Sequence, residues 1–374
     1  MARLGDICTV VSGSTPKSNI PEYWDGDIKW ITPAELTEEG YIITDSARHI
    51  TELGVQKTGL KPFPAGTVIL SSRAPIGKTA IAGCEMFCNQ GFKNLICSDQ
   101  VNNRYLYWFL TCNTDYLNSL GRGATFKEIS KGIVEDIEIP LPSISKQVEI
   151  AEKFEKVSDL IALRKEQLAK LDQLVNSRFV ELFGHKGYPE DSLLNLCNII
   201  DYRGKTPEKV EDGLPFITAK NVRMHQMNLE PREYISKETY DKVMVRGFPK
   251  EGDVVFTTEA PLGNVCRIPH FDTEFYIGQR IVTLQTEKLE PIYLEYALSS
   301  DDFKTKYMGK SSGSTVTGIR VRLLEQLTIP VPPMELQEQF AAFVEQTEKS
   351  KLVIQQSLDK LELLKKSLMQ EYFG

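Results

Sequence analysis

The sequence lacks several features that would place it in a specialised class of protein. No stretch of its 374 residues approaches the roughly 20 apolar residues that a membrane helix needs. The first 13 residues have no long apolar segment behind a basic end, so we expect no signal peptide. The seven cysteines are odd in number, have no C-x-x-C spacing and lie mostly in apolar runs, which favours reduced thiols in the cytoplasm.

Positive charge is also scarce. The formal net charge is -7, residues 1–145 carry 13 basic and 16 acidic side chains, and residues 185–333 carry 19 and 21. Because domains that bind nucleic acid are usually basic, any DNA-binding surface has to come from local clusters of charge, and we expect modest affinity from the isolated chain. The acidic balance keeps open a second hypothesis, a scaffold that binds proteins through its helices and does not bind DNA.

Signatures of catalysis are incomplete. Residues 75–79 resemble the end of a phosphate-binding loop, but Ser72 stands where that pattern needs glycine. The four histidines are scattered, and Cys84 and Cys88 have no histidine at zinc-ligand spacing. The Asp/Asn-Pro-Pro-aromatic motif of amino-methyltransferases is missing. We therefore predict a chain that is not an enzyme and binds no metal or cofactor of its own; an independent nuclease or methyltransferase is the weakest alternative.

The most informative feature that is present is an internal repeat with a period of about 190 residues. Residues 171–184 align with 361–374 without a gap, and six of the 14 positions are identical. At the same offset, Ile-Pro-Leu-Pro at 139–142 matches Ile-Pro-Val-Pro at 329–332. The period is too long for a solenoid, so the pattern indicates a duplicated unit of one globular domain and one helix.

Each repeat is typical of a mixed α/β domain followed by a long helix. Strand-like runs bounded by Gly and Pro occur at 66–70, 137–139, 253–256 and 327–329, and short helices are predicted at 104–110 and 292–298. Residues 145–183 lack Pro and Gly, and their apolar side chains recur in steps of three, four or seven. Residues 334–373 repeat that pattern.

We therefore predict an α+β chain in which two similar α/β domains, 1–144 and 185–333, are separated by helices at 145–184 and 334–374. A helix of about 38 residues is roughly 55 Å long. Because one small domain cannot cover so long an apolar stripe, we predict that the two helices pack together as a coiled coil. The alternative is that each helix packs only on its own domain.

The order of the motifs resembles that of the specificity subunits of type I restriction-modification systems. Gly-Ser-Thr-Pro-Lys at 13–17, Ala-Pro-Ile-Gly at 74–77, Asn-Gln-Gly-Phe at 89–92 and Gly-Ala-Thr at 123–125 lead into Ile-Pro-x-Pro and a helix that contains Gln147. The arrangement is then duplicated, so the resemblance covers nearly the full chain. It implies two target recognition domains that read the halves of an asymmetric bipartite DNA target, with the helices as an antiparallel spacer.

The same resemblance implies partners. Two methylating subunits that modify adenine would dock on the helices, and restriction motor-nuclease subunits would join them. S-adenosylmethionine, ATP and magnesium would then belong to those partners and not to this chain.

Side chains suited to DNA contact cluster in three loops of each domain. Lys, Arg and hydroxyl groups hold phosphates, whereas Arg, Lys, Asn and Gln read base edges. The candidates in the first domain are Ser14, Thr15, Lys17, Arg73, Lys78, Gln90, Lys93, Arg122, Thr125 and Lys127. The candidates in the second domain are Arg203, Lys205, Thr206, Lys220, Asn221, Arg223, Gln279, Arg280, Ser314, Thr315, Arg320 and Arg322.

The repeated glutamines have alternative roles. Gln90 and Gln279 are either base readers or structural hydrogen bonders inside their domains. Gln147 and Gln337, at the starts of the long helices, are predicted to be structural or to face a partner.

Overall fold

The chain forms two compact units. A computed structural model describes residues 1–37, 41–73, 75–123, 127–202, 206–311 and 317–374. Unit 1 comprises Met1–Glu166 with Gln356–Gly374, and unit 2 comprises Gln167–Gln355. The limits of the units therefore fall inside the two long helices, so each unit contains a globular part, the first half of the helix that follows it and the last part of the other helix. The globular parts are called domain 1 and domain 2 below.

Domain 1 is built on a five-stranded and a three-stranded sheet. Its strands are β1 Ala2–Arg3, β2 Cys8–Ser12, β3 Trp24–Ile31, β4 Ile42–Ile43, β5 Arg48–Ile50, β6 Val68–Leu70, β7 Thr79–Ala82, β8 Phe87–Cys88, β9 Lys93–Cys97 and β10 Glu138–Ile139. Its helices are α1 Leu4–Ile7, α2 Glu52–Thr58, α3 Asn103–Cys112, α4 Thr114–Ser119 and α5 Lys131–Glu135. The sheets have the orders β2-β9-β6-β7-β4 and β5-β3-β8, and β1 pairs with β10.

Domain 2 repeats this plan. Its strands are β11 Glu190–Ser192, β12 Asn198–Asp201, β13 Leu214–Ile217, β14 Val222–Arg223, β15 Gln226–Met227, β16 Tyr234–Ile235, β17 Val254–Thr257, β18 Val265–Arg267, β19 Tyr276–Ile277, β20 Ile281–Gln285 and β21 Thr328–Pro330. Its helices are α7 Leu193–Leu196, α8 Lys237–Val243, α9 Pro291–Ser299, α10 Asp301–Met308 and α11 Val321–Leu324. The order β12-β20-β17-β18 matches the first four strands of the five-stranded sheet in domain 1, and β16-β13-β19 matches β5-β3-β8. In addition, β11 pairs with β21, and β14 pairs with β15. The two long helices are α6 Ile144–Phe183, which lies between the two domains in the sequence, and α12 Met334–Phe373.

The start of each long helix is fixed by a buried glutamine. The side-chain amide of Gln147 donates to the Pro142 carbonyl at 2.9 Å, and its oxygen accepts from the Asn102 backbone N–H at 2.8 Å. In domain 2, Gln337 donates to Pro332 at 2.8 Å and accepts from the Glu290 N–H at 3.0 Å. Both glutamines are buried and have partners inside their own domain, so the structural one of their two predicted roles is confirmed.

Inside unit 1 the two long helices run antiparallel. Phe154 of α6 stacks on Phe373 at the end of α12 with ring centroids 5.5 Å apart, and Lys165 of α6 lies 3.6 Å from Glu362 of α12. The residue numbers of the contacting partners increase along α6 and decrease along α12, so the two helices are antiparallel. The aromatic end of α12 also enters the core of domain 1, where Phe373 lies 5.4 Å from Tyr105 of α3.

In unit 2 the two helices exchange roles, so that the end of α6 packs against the first part of α12. Phe183, at the end of α6, lies 5.6 Å from Phe340 of α12 and 4.8 Å from Tyr293 of α9. Farther along the pair, Lys351 and Asp172 form an ion pair at 2.5 Å. The predicted α+β fold with an antiparallel helix pair is thus confirmed. The alternative, in which each helix packs only on its own domain, is wrong, because the end of α12 packs in the core of domain 1 and the end of α6 packs in the core of domain 2.

These contacts predict that each helix end stabilises the unit in which it is buried. Phe373→Ala should lower the stability of unit 1 by about 3 to 5 kcal/mol, because a buried aromatic ring is lost from a packed core. Hydrogen exchange should therefore quicken in β9 and α3 and stay unchanged in β20 and α9. The matched variant Phe183→Ala should give the reverse pattern, and equal loss of protection in both units from either variant would contradict the assignment.

Candidate nucleic-acid interface

Two exposed pairs of side chains recur at equivalent places in the two domains. The Thr15 hydroxyl donates to the side-chain oxygen of Gln90, which lies 75 positions later. In domain 2 the side-chain amide of Gln279 donates to the Thr206 hydroxyl at 3.0 Å. All four side chains are exposed. The pairs join the opening loop of each domain to the segment that follows its β8 or β19 strand.

Backbone hydrogen bonds connect this segment to the two other candidate loops. In domain 1, Ser72 N–H donates to the Gly91 carbonyl at 2.7 Å, and Ile129 N–H donates to the Ser72 carbonyl at 2.9 Å. In domain 2 the same two bonds run from Thr258 to Arg280 at 2.9 Å and from Ile319 to Thr258 at 3.0 Å. The three loops singled out in each repeat are therefore adjacent. We call this surface the loop face of each domain; it comprises 13–17, 71–78, 89–92 and 122–129 in domain 1 and 206–208, 257–264, 278–280 and 317–320 in domain 2, as far as these residues are described.

The turn in the middle of each loop face depends on a glycine. Gly77 and Gly263 have φ angles of +93° and +90°, a backbone conformation that residues other than glycine rarely adopt. A Cβ atom on Gly263 would lie 2.2 Å from the Tyr307 hydroxyl. A hydroxyl at the start of the turn closes it: Ser71 accepts from the Lys78 N–H, and Thr257 accepts from the Asn264 N–H, both at 2.9 Å.

The charges on the two loop faces differ although the backbone is repeated. On domain 1, Arg73 donates to Glu128 at 3.0 Å. On domain 2 the residue in the place of Arg73 is Glu259, which lies 3.4 Å from Arg280. The same framework therefore carries different side chains in the two domains.

Most of the other described candidates on domain 1 are exposed. Lys17, Arg122 and Lys127 are exposed, and Ser14 is half-buried. Lys78 is exposed, and its ammonium group donates to the Leu36 carbonyl at 3.0 Å, which ties it to the adjacent loop.

The position of Lys93 does not fit its predicted contact with DNA. It is 7% exposed, and its ammonium group lies 3.3 Å from the Ser72 hydroxyl and 3.4 Å from Glu128. Because it lies on β9 in the interior, it supports the loop face from beneath.

The position of Asn221 in domain 2 does not fit a predicted contact with DNA either. It is 2% exposed, its side-chain oxygen accepts from the Thr218 N–H and hydroxyl, both at 2.9 Å, and its amide donates to the Asn228 carbonyl at 2.9 Å. Glu35 makes the same bonds to Thr32 in domain 1, at 2.7 and 2.9 Å. The side chain at this position shapes a turn and does not face solvent.

A surface pocket of about 260 Å³ brings four of the domain 2 candidates together. Thr206, Lys220, Gln279 and Arg280 line it, beside Phe216 and Glu233. Arg223, Arg320 and Arg322 are exposed, and Arg320 immediately precedes α11. The remaining candidates lie outside the described residues: Thr125, Arg203, Lys205, Ser314 and Thr315.

An arginine and two tryptophans beside the domain 1 loop face were missed by the sequence analysis. The Arg48 guanidinium lies 3.7 Å above the ring of Trp24 and 5.8 Å from that of Trp30. The indole N–H groups of Trp30 and Trp24 donate to the carbonyls of Ser14 and Lys17, at 3.0 and 3.2 Å. Two of the chain's three tryptophans, six positions apart and close after the opening loop, were the available signal.

The cysteines show no arrangement typical of a metal centre. Asn94 donates to the Cys88 thiol at 3.0 Å, and burial raises the pKa of that thiol to about 12. Across the described ranges, no group of three or more His, Cys, Asp or Glu side chains is placed to hold a metal ion.

Among the helices of the described residues, none is both long and apolar enough to cross a membrane.

Comparison with known proteins relates this architecture to a family. The family model described as "Type I restriction modification DNA specificity domain" matches the chain twice, at residues 1–173 and 191–363. The type I restriction enzyme MjaVIII specificity subunit of Methanocaldococcus jannaschii is 24% identical over 99% of this chain and 90% of its own length. The MjaIX specificity subunit of the same organism is 41% identical over 48% of this chain and 43% of its own length.

Two solved structures share the fold over the full chain. One, from work on complex assembly and conformational transition of the type I restriction-modification system, has a TM-score of 0.63 at 20% identity and is covered over 96% of its length. The other, the S subunit of a type I restriction-modification system from M. genitalium, has a TM-score of 0.60 at 14% identity and is covered over 95%. With two matches of the family model that together span most of its length, the chain belongs to the type I restriction-modification specificity subunits, which are not the catalytic members of their systems.

Proposed function

We propose that the chain reads a bipartite, asymmetric DNA target, with one half-site bound by the loop face of each domain. The observation that carries the proposal is that one hydrogen-bonded framework is built twice and carries different side chains each time. A repeated framework suits duplex DNA, because its two half-sites present the same backbone geometry to the protein. Different side chains suit half-sites of different sequence, since base edges and not phosphates distinguish one sequence from another.

The loop faces have groups for both kinds of contact. Lys17, Arg122 and Lys127 are exposed cations suited to phosphates, and the Thr15–Gln90 and Thr206–Gln279 pairs place amides where they can meet base edges. The net negative charge of the chain does not oppose this role, because exposed cations lie on the loop faces and partners would add further contacts.

The proposal includes the partners. Two methylating subunits dock on the helix pair and modify adenine in the target, and restriction motor-nuclease subunits complete the complex. Exposed apolar side chains on both helices support protein docking there. They are Leu160, Leu163, Leu174, Leu352, Val353, Leu363 and Leu364. S-adenosylmethionine, ATP and magnesium are bound by these partners, and the complex acts in the cytoplasm.

A competition experiment tests bipartite readout. The chain, with and without a methylating partner from the same class of system, is mixed with a randomised duplex library, and the bound DNA is sequenced. We expect two short conserved blocks separated by a fixed gap without sequence preference. If the complex enriches no block, the chain is not a DNA reader, and a scaffold that binds proteins through its helices becomes the better account.

Contacts to phosphates predict a distinct response. Arg122→Gln and Lys127→Gln should each weaken binding to all duplexes by a similar factor, and the slope of log affinity against log salt should fall by about 1 for each lost contact. Binding is measured over a salt series with specific and unrelated duplexes. Lys146→Gln, which removes a half-buried lysine at the start of α6 and outside both loop faces, is the control. A change in the selected bases, with an unchanged salt slope, would contradict the phosphate role.

A further inference from the structure

We propose that Arg48 reads a guanine in the half-site bound by domain 1. The inference rests on the proposed function and adds a specificity-determining residue to it. Arg48 lies on β5, outside the three loops that the sequence pattern singles out, and its role follows from what surrounds it in space.

A rigid aromatic platform holds the Arg48 guanidinium. The group lies 3.7 Å from the Trp24 ring centroid, and the Trp24 and Trp30 rings pack edge to face at 5.1 Å and 82°. The two rings are 7% and 2% exposed, so the platform belongs to the interior of the domain. Stacking on a buried ring restricts the plane of a guanidinium and reduces the entropy that it loses on binding.

The platform is joined directly to the loop face. Trp30 and Trp24 donate to the carbonyls of Ser14 and Lys17, on both sides of the Thr15 that contacts Gln90. Arg48 is therefore positioned by the same loop that carries the predicted DNA contacts, and it extends the loop face by one cation.

The donors of Arg48 are available for a ligand. Its side chain is exposed, and within the described part of the chain it makes cation–π contacts but no ion pair. When a guanidinium stacks through one face, the N–H groups along its edge can still donate hydrogen bonds. That edge can donate two parallel hydrogen bonds, which is the arrangement that the O6 and N7 atoms of guanine accept in the major groove.

The equivalent position in domain 2 distinguishes base reading from phosphate binding. Arg48 pairs with Trp30, two positions before Thr32. Phe216 stands two positions before Thr218 and pairs with Tyr276 as Trp30 pairs with Phe87. The residue opposite Phe216 is Glu233, whose carbonyl accepts from the Phe216 N–H at 2.8 Å.

Glu233 thus takes the place of Arg48, and its carboxylate lies 2.8 Å from Lys209 in the domain 2 pocket. A phosphate is present at every half-site, and a carboxylate would repel it. A position that reads bases, in contrast, is expected to differ between domains whose targets differ. The charge reversal therefore favours base reading by Arg48.

The test uses the full chain with its methylating partner and the randomised duplex library. Wild type should enrich guanine at one position in one of the two blocks. Arg48→Lys keeps the charge and loses the two-pronged edge, so discrimination for guanine at that position should fall by roughly 5- to 150-fold. The other block should keep its sequence in the same selection, which controls for folding and for assembly with the partner.

Each other outcome has a distinct meaning. If Arg48→Lys keeps the same guanine preference, or if Arg48→Gln weakens binding equally for all sequences and lowers the salt slope, Arg48 is a phosphate contact or a surface residue and the inference is overturned. If wild type itself enriches no block, the proposed function fails first, and the inference fails with it. Loss of both blocks in Arg48→Lys, with normal partner assembly, would show a structural role and also overturn it.

Discussion

The packing of the end of α12 in the core of domain 1, and of the end of α6 in the core of domain 2, is the constraint on which the rest of the structure depends. Phe373 packs against Phe154 and Tyr105, and Phe183 packs against Phe340 and Tyr293. A 40-residue helix cannot bury its apolar stripe on one small domain. Dividing each helix between the units solves this problem and makes the antiparallel pair part of both hydrophobic cores.

The loop faces follow from the same architecture. Gln147 and Gln337 fix the Pro-rich segment before each helix to the loop before α3 or α9, and the tyrosine hydroxyls of those helices donate to Pro140 and Pro330, at 2.8 and 2.7 Å. The strands that carry the turns are held over these helices by a continuous apolar core. Variation of side chains on the loop faces therefore leaves the core and the helix pair unchanged.

Much of the fold could be predicted from the sequence because its signals are local or repeated. The 3.6-residue periodicity and the lack of Pro and Gly define the long helices, and the matched offsets identify Thr15 with Thr206 and Gln90 with Gln279. Which unit covers each end of a helix could not be predicted, because a periodic stripe specifies a buried face and not its partner.

The site was less predictable because residue type does not reveal exposure. Lys93 and Asn221 have side chains typical of DNA contacts, yet a strand and a turn place them in the interior. Arg48 and Trp24 are 24 positions apart, and their contact depends on the pairing of β3 with β5 and on the irregular register between Trp24 and Ile28. Such a contact has no local sequence pattern.

The central claim is that each domain reads its own half-site, and a duplicated domain tests it most directly. Residues 191–329 would be replaced by a second copy of 2–139, joined at the equivalent edge strands β11–β21 and β1–β10. The target selected by this chain with its partner should contain the domain 1 block twice, as an inverted repeat with the original gap. Selection of the original asymmetric target, with the domain 2 block still present, would contradict the account.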